Sequence, residues 1–244
     1  MKNFKELMEL ANKGDAFAQY YIAEHHMGNP KTEAEAAKWL DLAVEKLETM
    51  AREGNADAMY LLGEFYGRED LSSMDQQESE RWYLMAANTY RAAAETGDSE
   101  AQFRLGLCYA NGHGVTKSEE EAFGLYKLAA ESGHHKAQFS LGSCYMHGEG
   151  IEADAEEGIR WYKLAADQGD AIAHTALGRY FQSVADYEKA LTHFLIAAED
   201  GYSIAQIRLG DCYYDGIGTA QDREEAMKWY RLAEENGRRS PRLD

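Results

Sequence analysis

Only two prolines, Pro30 and Pro241, occur in 244 residues. Proline breaks helix interiors, so helix can run almost without interruption between them. Cysteine is as scarce: three residues cannot all pair, and they make no disulfide framework in a chain this long. No apolar run approaches the roughly 20 residues that span a bilayer. The N-terminal MKNFKELMELANKG spreads charge throughout and has no apolar core. A secretory signal is therefore not expected, and the protein is expected to be cytoplasmic. Positive charge is also short, with 25 Lys+Arg against 43 Asp+Glu and a formal net charge of -18. Phosphate backbones and anionic membranes attract basic proteins, so nucleic acid and lipid are poor partners and a basic protein is a better one. The same charge also serves solubility.

What is present is a soluble globular composition, 45% hydrophobic, enough for a sizeable core. One stretch resembles chemistry: ESGHHKAQFSLGSCYMHGEG, residues 131–150, with three histidines, a cysteine and a glycine-rich end. Alignment of the chain on itself gives that stretch a different meaning. AETGDSEAQFRLGLCYANGHG, AESGHHKAQFSLGSCYMHGEG, ADQGDAIAHTALGRYF and AEDGYSIAQIRLGDCYYDGIG repeat one another. Their lead glycines are Gly97, Gly133, Gly169 and Gly201, followed by Gly237, in steps of 36, 36, 32 and 36. Gly54 and Gly14 lead two earlier units, with steps of 43 and 40.

Each unit reads as two helices. Counted from the lead glycine, the first carries alanine at plus 4 (Ala18, Ala58, Ala101, Ala137, Ala173, Ala205). It has glycine at plus 9 (Gly63, Gly106, Gly142, Gly178, Gly210) and an aromatic at plus 12. Such spacing makes one buried helical face. A glycine inside a helix costs about 1 kcal/mol, tolerable where it lets a neighbouring helix approach closely. The pairs Gly112/Gly114, Gly148/Gly150 and Gly216/Gly218 end the first helix. The second starts on caps: Thr32…Glu35, Ser118…Glu121, Asp75, Asp154, Asp186 and Asp222. It then carries Trp-Tyr or a variant, as at Trp82-Tyr83, Trp161-Tyr162 and Trp229-Tyr230, with Trp39 in the same column, read as core packing. From Trp39 to Gly54 and from Trp82 to Gly97 is 15 residues, against 8 from Trp161 to Gly169. The excess of 7 is about two turns and keeps the buried face, so units one and two are expected to have a longer second helix.

The pattern A..G...A...LG..Y..G.G followed by A...WY..AA..G, as in residues 130–169, resembles the Sel-one-like repeat (SLR) family, relatives of the tetratricopeptide repeats. The resemblance implies an all-α, right-handed alpha-alpha superhelix of about six helix-turn-helix repeats over residues 1–237. Residues 1–13 would form an N-terminal capping helix, and 238–244 a short basic tail without structure. It implies adaptor work through protein binding; since every cysteine is columnar and no nucleophile-elbow sequence occurs, neither enzyme activity nor a cofactor is expected. Some secreted members are linked with penicillin binding or β-lactamase activity, but those are disulfide-stitched arrays with two cysteines per unit, and this chain has at most one.

In that frame Cys108, Cys144 and Cys212 all stand at plus 11 and pack as small hydrophobes. The histidines are not periodic. His134 and His135 start the first helix of their unit and His147 ends it, about three turns away; Cys144 and His147 form an i, i+3 pair that could hold a metal. The expectation nonetheless places Cys144 inward and His147 outward. By analogy with tetratricopeptide geometry the partner-binding face is concave and uses plus 6, 10, 13 and 14 of the first helix. Plus 6 gives Tyr20, Tyr60, Phe103, Phe139 and Ile207, with Thr175 breaking the column. Plus 10 gives Glu64, Leu107, Ser143, Arg179 and Asp211, after Glu24. Plus 13 gives Met146 and Tyr214, and plus 14 gives Arg68, Asn111, His147 and Asp215. An aromatic stripe with mixed charge suits a protein or peptide partner. The alternative is that plus 6 is buried within the array.

Overall fold

The computed structural model describes residues 4–27, 33–68, 75–238 and 240–243, and among these residues the chain is entirely helical and irregular, without strands. Helix α1 (Phe4–Asn12) precedes six pairs. These are α2 (Ala16–His26) with α3 (Glu33–Arg52), α4 (Ala56–Tyr66) with α5 (Gln76–Ala94), and α6 (Ser99–Asn111) with α7 (Glu119–Glu131). They continue as α8 (His135–His147) with α9 (Ala155–Asp167), α10 (Ala171–Ser183) with α11 (Tyr187–Glu199), and α12 (Ser203–Asp215) with α13 (Arg223–Glu235). The longer second helices of the first two pairs are present: α3 and α5 have 20 and 19 residues, against 13 in α7, α9, α11 and α13.

The chain divides into two compact units, Phe4–His134 and His135–Asp244. In the first, α1 packs on α2 through Phe4, Leu7, Met8 and Leu10 against Ala18 and Ile22. The main core joins Tyr20, Leu47, Leu62, Ala86, Leu105 and Cys108. In the second, Phe194, Leu209 and Cys212 form one cluster, and Tyr162 with Leu177 another. Truncating a buried leucine such as Leu62 or Leu209 to alanine would cost about 2–5 kcal/mol.

The helix ends follow the sequence. Asp75, Ser118, Asp154, Asp186 and Asp222 each accept backbone N–H bonds at the start of their helices. Thr32 of the Thr32…Glu35 pair lies outside the described residues. The residue after the lead glycine adds a second series of caps, at Asp15, Asn55, Asp98 and Asp170. All seven lead glycines, Gly14 to Gly237, have positive φ, the left-handed turn that ends one helix and starts the next.

The glycines at plus 9 are where the paired helices touch. A Cβ on Gly63, Gly106, Gly142, Gly178 or Gly210 would fall 2.4–2.6 Å from a ring of the second helix: Tyr83, Tyr126, Tyr162, Phe194 or Tyr230. The missing side chain is the slot that the ring fills.

A buried polar column was not anticipated. Gln19, Gln102 and Gln206, at plus 5, donate to the carbonyls of Ala11, Ala94 and Ala198, eight residues back, and so tie α2, α6 and α12 to the helix before each.

The tail corrects an expectation. Ser240 is buried, Pro241–Leu243 forms a 3-10 turn, and the Arg242 guanidinium reaches Asp215 at 3.0 Å. The physical reason is the acidic and aromatic surface beside it, which engages the planar cation.

Candidate functional site

The predicted face separates into three environments. The first is interior. Phe103 is 6% exposed and Thr175 5%, so these side chains belong to the packing rather than to a free surface; Tyr20 has no exposed surface either, but it borders the cavity described below. Phe103 lies on Tyr126 of the paired helix and stacks on His134, with centroids 4.9 Å apart. Burial within the array, the alternative for plus 6, accounts for these positions. Tyr60, Phe139 and Ile207 are half-buried. Phe139 stacks on Tyr162 at 5.3 Å.

The second environment is open and dispersed. Asn111, His147 and Arg179 are exposed, while Leu107, Ser143 and Met146 are half-buried. Met146 packs over Gly158. Two of the three histidines of residues 131–150 are used structurally: His134 contacts Glu100 at 2.8 Å and His135 contacts Asp170 at 2.9 Å. Cys144 is buried, as are Cys108 and Cys212. Burial pushes the Cys108 thiol up to about 12 and Cys212 to about 11, where neither is a nucleophile at neutral pH. Among the described residues no group of three or more His, Cys, Asp and Glu is arranged to hold a metal.

The third environment is a cavity of about 470 Å³ within Phe4–His134. It draws on three repeats: Tyr20 and Glu24 from α2, Glu64 from α4 with Arg68 just beyond it, and Tyr83 from α5. The Gly112-His113-Gly114 turn borders it. That turn is seated by Gly114, where φ is +67° and a Cβ would lie 2.3 Å from the Tyr83 backbone. His113 is thereby placed with its ring stacked on Tyr83, 4.0 Å between centroids, and its Nδ1 at 2.9 Å from the Tyr60 hydroxyl.

The electrostatics of this cavity are uneven. Arg68 pairs with Glu24, and Arg104 with Glu100 (2.8 Å) and Asp57 (3.2 Å). Glu64 is left as the carboxyl whose nearby cations are engaged elsewhere. Burial first, and then the charge of Glu24, lift its pKa to about 7, with Arg68 and Arg104 opposing. Burial raises the Tyr20 and Tyr83 phenols and lowers the His113 imidazole, which is therefore neutral at pH 7. The arrangement suits recognition of a cation by carboxylates and aromatic edges.

Of the predicted residues, Tyr20, Glu64 and Arg68 converge here and Tyr60 adjoins through His113. A separate cluster forms in His135–Asp244, where Asp211, Tyr214 and Asp215 meet Arg242. Sequence reasoning missed His113 and the role of Tyr83. Tyr83 was read only as core, and His113 has no periodic counterpart, since Glu149 and Ile217 occupy its position in other units.

Comparison with known proteins adds the following. The family model described as Sel1 repeat matches residues 16–46, 56–88, 99–134, 135–170, 171–202 and 203–237. Mouse "DAP3-binding cell death enhancer 1" is 32% identical over 223 residues, which is 90% of this chain and 42% of that protein. This chain therefore spans less than half of that relative. The crystal structure of a Sel1 repeat protein from Oxalobacter formigenes is 32% identical with a TM-score of 0.57, covering 84% of each chain. Immunity protein Pa5087 from Pseudomonas aeruginosa is 21% identical with a TM-score of 0.60, over 93% of this chain and 86% of that one. At that identity the likeness carries the fold alone.

Proposed function

Because the chain belongs to the Sel1 repeat family, we propose that it is a protein-binding scaffold, without catalysis of its own, that captures a basic protein or peptide. The observation that carries this reading is the cavity between α2, α4 and α5, where Glu24, Glu64 and Glu80 face a single arginine and aromatic walls. A net charge of -18 adds a long-range attraction for a basic partner and speeds its encounter. Half-buried Tyr60, joined to the cavity through His113, offers contact area of the kind that anchors interfaces. A narrower form of the proposal is neutralisation, in which the partner's activity is blocked while it is held.

The test is a pull-down from native lysate with mass spectrometry, comparing wild type with Glu24→Lys/Glu64→Lys, folding being verified by circular dichroism. The expected result is a basic partner that is retained by wild type, released by moderate salt and lost from the folded variant. Retention by the folded variant would move the binding surface away from this cavity. For the narrower form, the captured partner's own activity is measured with and without the purified chain, and unchanged activity would exclude neutralisation.

A further inference from the structure

The same cavity holds an unsatisfied group. The Tyr20 side chain has no accessible surface, and its hydroxyl makes no hydrogen bond of good geometry, although the Arg68 guanidinium lies near it. A buried hydroxyl left in this way costs about 1–3 kcal/mol, and a bound group can recover that cost. Beside it stands the Glu64 carboxyl, half-buried, with Arg68 closed on Glu24 and Arg104 on Asp57 and Glu100. The site therefore presents acceptors in excess of donors.

The chain itself shows what suits such a surface. In the last repeat its own Arg242 is seated on Asp211, Tyr214 and Asp215, at plus 10, 13 and 14, of which plus 10 is the position of Glu64 in the second repeat, where plus 13 and 14 are Gly67 and Arg68. The guanidinium carbon lies 4.7 Å from the Tyr214 ring centroid, and its nitrogens reach Asp215 at 3.0 Å and Asp211 at 3.7 Å. This is a carboxylate-and-aromatic seat for one planar cation. The second repeat offers Glu64 at plus 10, with Glu24 of the first repeat, Tyr20 and Tyr83 around a cavity of about 470 Å³, a volume that admits one long side chain.

Resting on the protein-binding reading above, we propose that the α2–α4–α5 cavity is a specificity pocket for a single arginine side chain of the partner, received by Glu64 and Tyr20. Arg242 is the internal precedent for that contact. The guanidinium lies between the carboxylates, and the Tyr20 hydroxyl gains a partner when the pocket fills.

The experiment is an NMR titration of the full chain with N-acetyl-L-arginine amide, which carries the side-chain cation and no other charge. The lysine and glutamine amides are the controls. The expected result is saturable shifting of the Tyr20, Tyr83 and His113 resonances by the arginine compound, a weaker response to lysine and none to glutamine. Glu64→Gln, close to isosteric, is expected to weaken the arginine response by about tenfold, as befits loss of a charged hydrogen bond. Tyr20→Phe, which keeps the ring, is expected to weaken it a few-fold. The inference is overturned by the absence of saturable shifts at concentrations up to roughly 50 mM. It is equally overturned by an equal response in folded Glu64→Gln, by lysine binding more tightly than arginine, or by shifts confined to Tyr214 and its neighbours. Failure here is separable from failure of the scaffold reading. A chain that retains its partner in the pull-down but ignores the arginine compound is a scaffold without this pocket.

Discussion

At the scale of single residues, Ala185 shows how strictly the repeat specifies its turns. Three repeats close the first helix on a glycine with positive φ at position 112, 148 or 216, but the shorter fifth repeat puts Ala185 at φ 60°. A left-handed alanine costs roughly 1–2 kcal/mol. Ala185→Gly is therefore expected to raise stability by about 0.5–1 kcal/mol after the entropy glycine adds to the unfolded chain, read as a higher urea midpoint. Glu64 makes a second prediction. Its folded pKa of about 7 lies above the ordinary 4.5, so the native state holds the proton more tightly than the unfolded state. Stability must fall as pH rises from about 4.5 to about 7 and stay lower above it. Once its partial exposure is discounted, the effect is on the order of 1–2 kcal/mol. Glu64→Gln is expected to match wild type near pH 5 and to melt higher at pH 8. Equal melting profiles across that range would show that the carboxyl is not strained. At this scale much of the site was legible and some was not. Position in the repeat placed Cys108, Cys144 and Cys212 inward and exposed His147. It could not separate buried Tyr20 and Phe103 from half-buried Tyr60, because exposure at plus 6 depends on which side chains neighbouring repeats supply.

At the scale of elements, the slot between glycine and ring decides the outcome of a substitution usually regarded as favourable. Glycine to alanine in a helix interior ordinarily gains about 1 kcal/mol. At Gly106 the new methyl would sit 2.6 Å from the Tyr126 ring, with α6 and α7 pressed together around it. Gly106→Ala is therefore expected to lose about 1–3 kcal/mol, and pairing it with Tyr126→Leu to recover part of the loss, as a double-mutant cycle in urea would report. The helices themselves were readable from spacing: the 7 residues added between tryptophan and lead glycine reappear as the extra length of α3 and α5. What spacing could not supply was the docking of the Gly112-His113-Gly114 turn onto α5. That contact joins Tyr60 to His113 across 53 residues and rests on one non-periodic side chain. The tail was misjudged for a related reason. Its composition reads as solvated, and only the surface presented by α12 gives Arg242 somewhere to go.

At the scale of the whole molecule, charge dominates. The ion pairs of Arg52, Arg81, Arg160 and Lys228 join neighbouring turns of one helix, where each cation is largely exposed, and such pairs contribute little. The net charge of -18 is self-repelling throughout. Salt screens both, and at a net charge of -18 the repulsion is expected to be the larger quantity. The melting temperature is therefore expected to rise by a few degrees between low salt and roughly 0.3 M sodium chloride, as calorimetry would record. A fall would mean that the ion pairs outweigh the repulsion. Association with a basic partner is expected to respond oppositely, slowing as salt rises.

The slot at plus 9 has one more consequence, for how such a chain can change its partner. By admitting a ring from the second helix, the glycine delivers that ring's hydroxyl beside the residue that follows it. The Tyr230 hydroxyl donates to Asp211 at 2.9 Å, and the Tyr162 hydroxyl bonds Ser143. Where Phe194 fills the slot no hydroxyl arrives, and the neighbouring Arg179 is exposed. Packing needs only the ring, whereas the oxygen is optional. The proposed recognition surface could therefore be rewritten by exchanging tyrosine for phenylalanine in the second helix, an edit made from behind the face assigned to a partner.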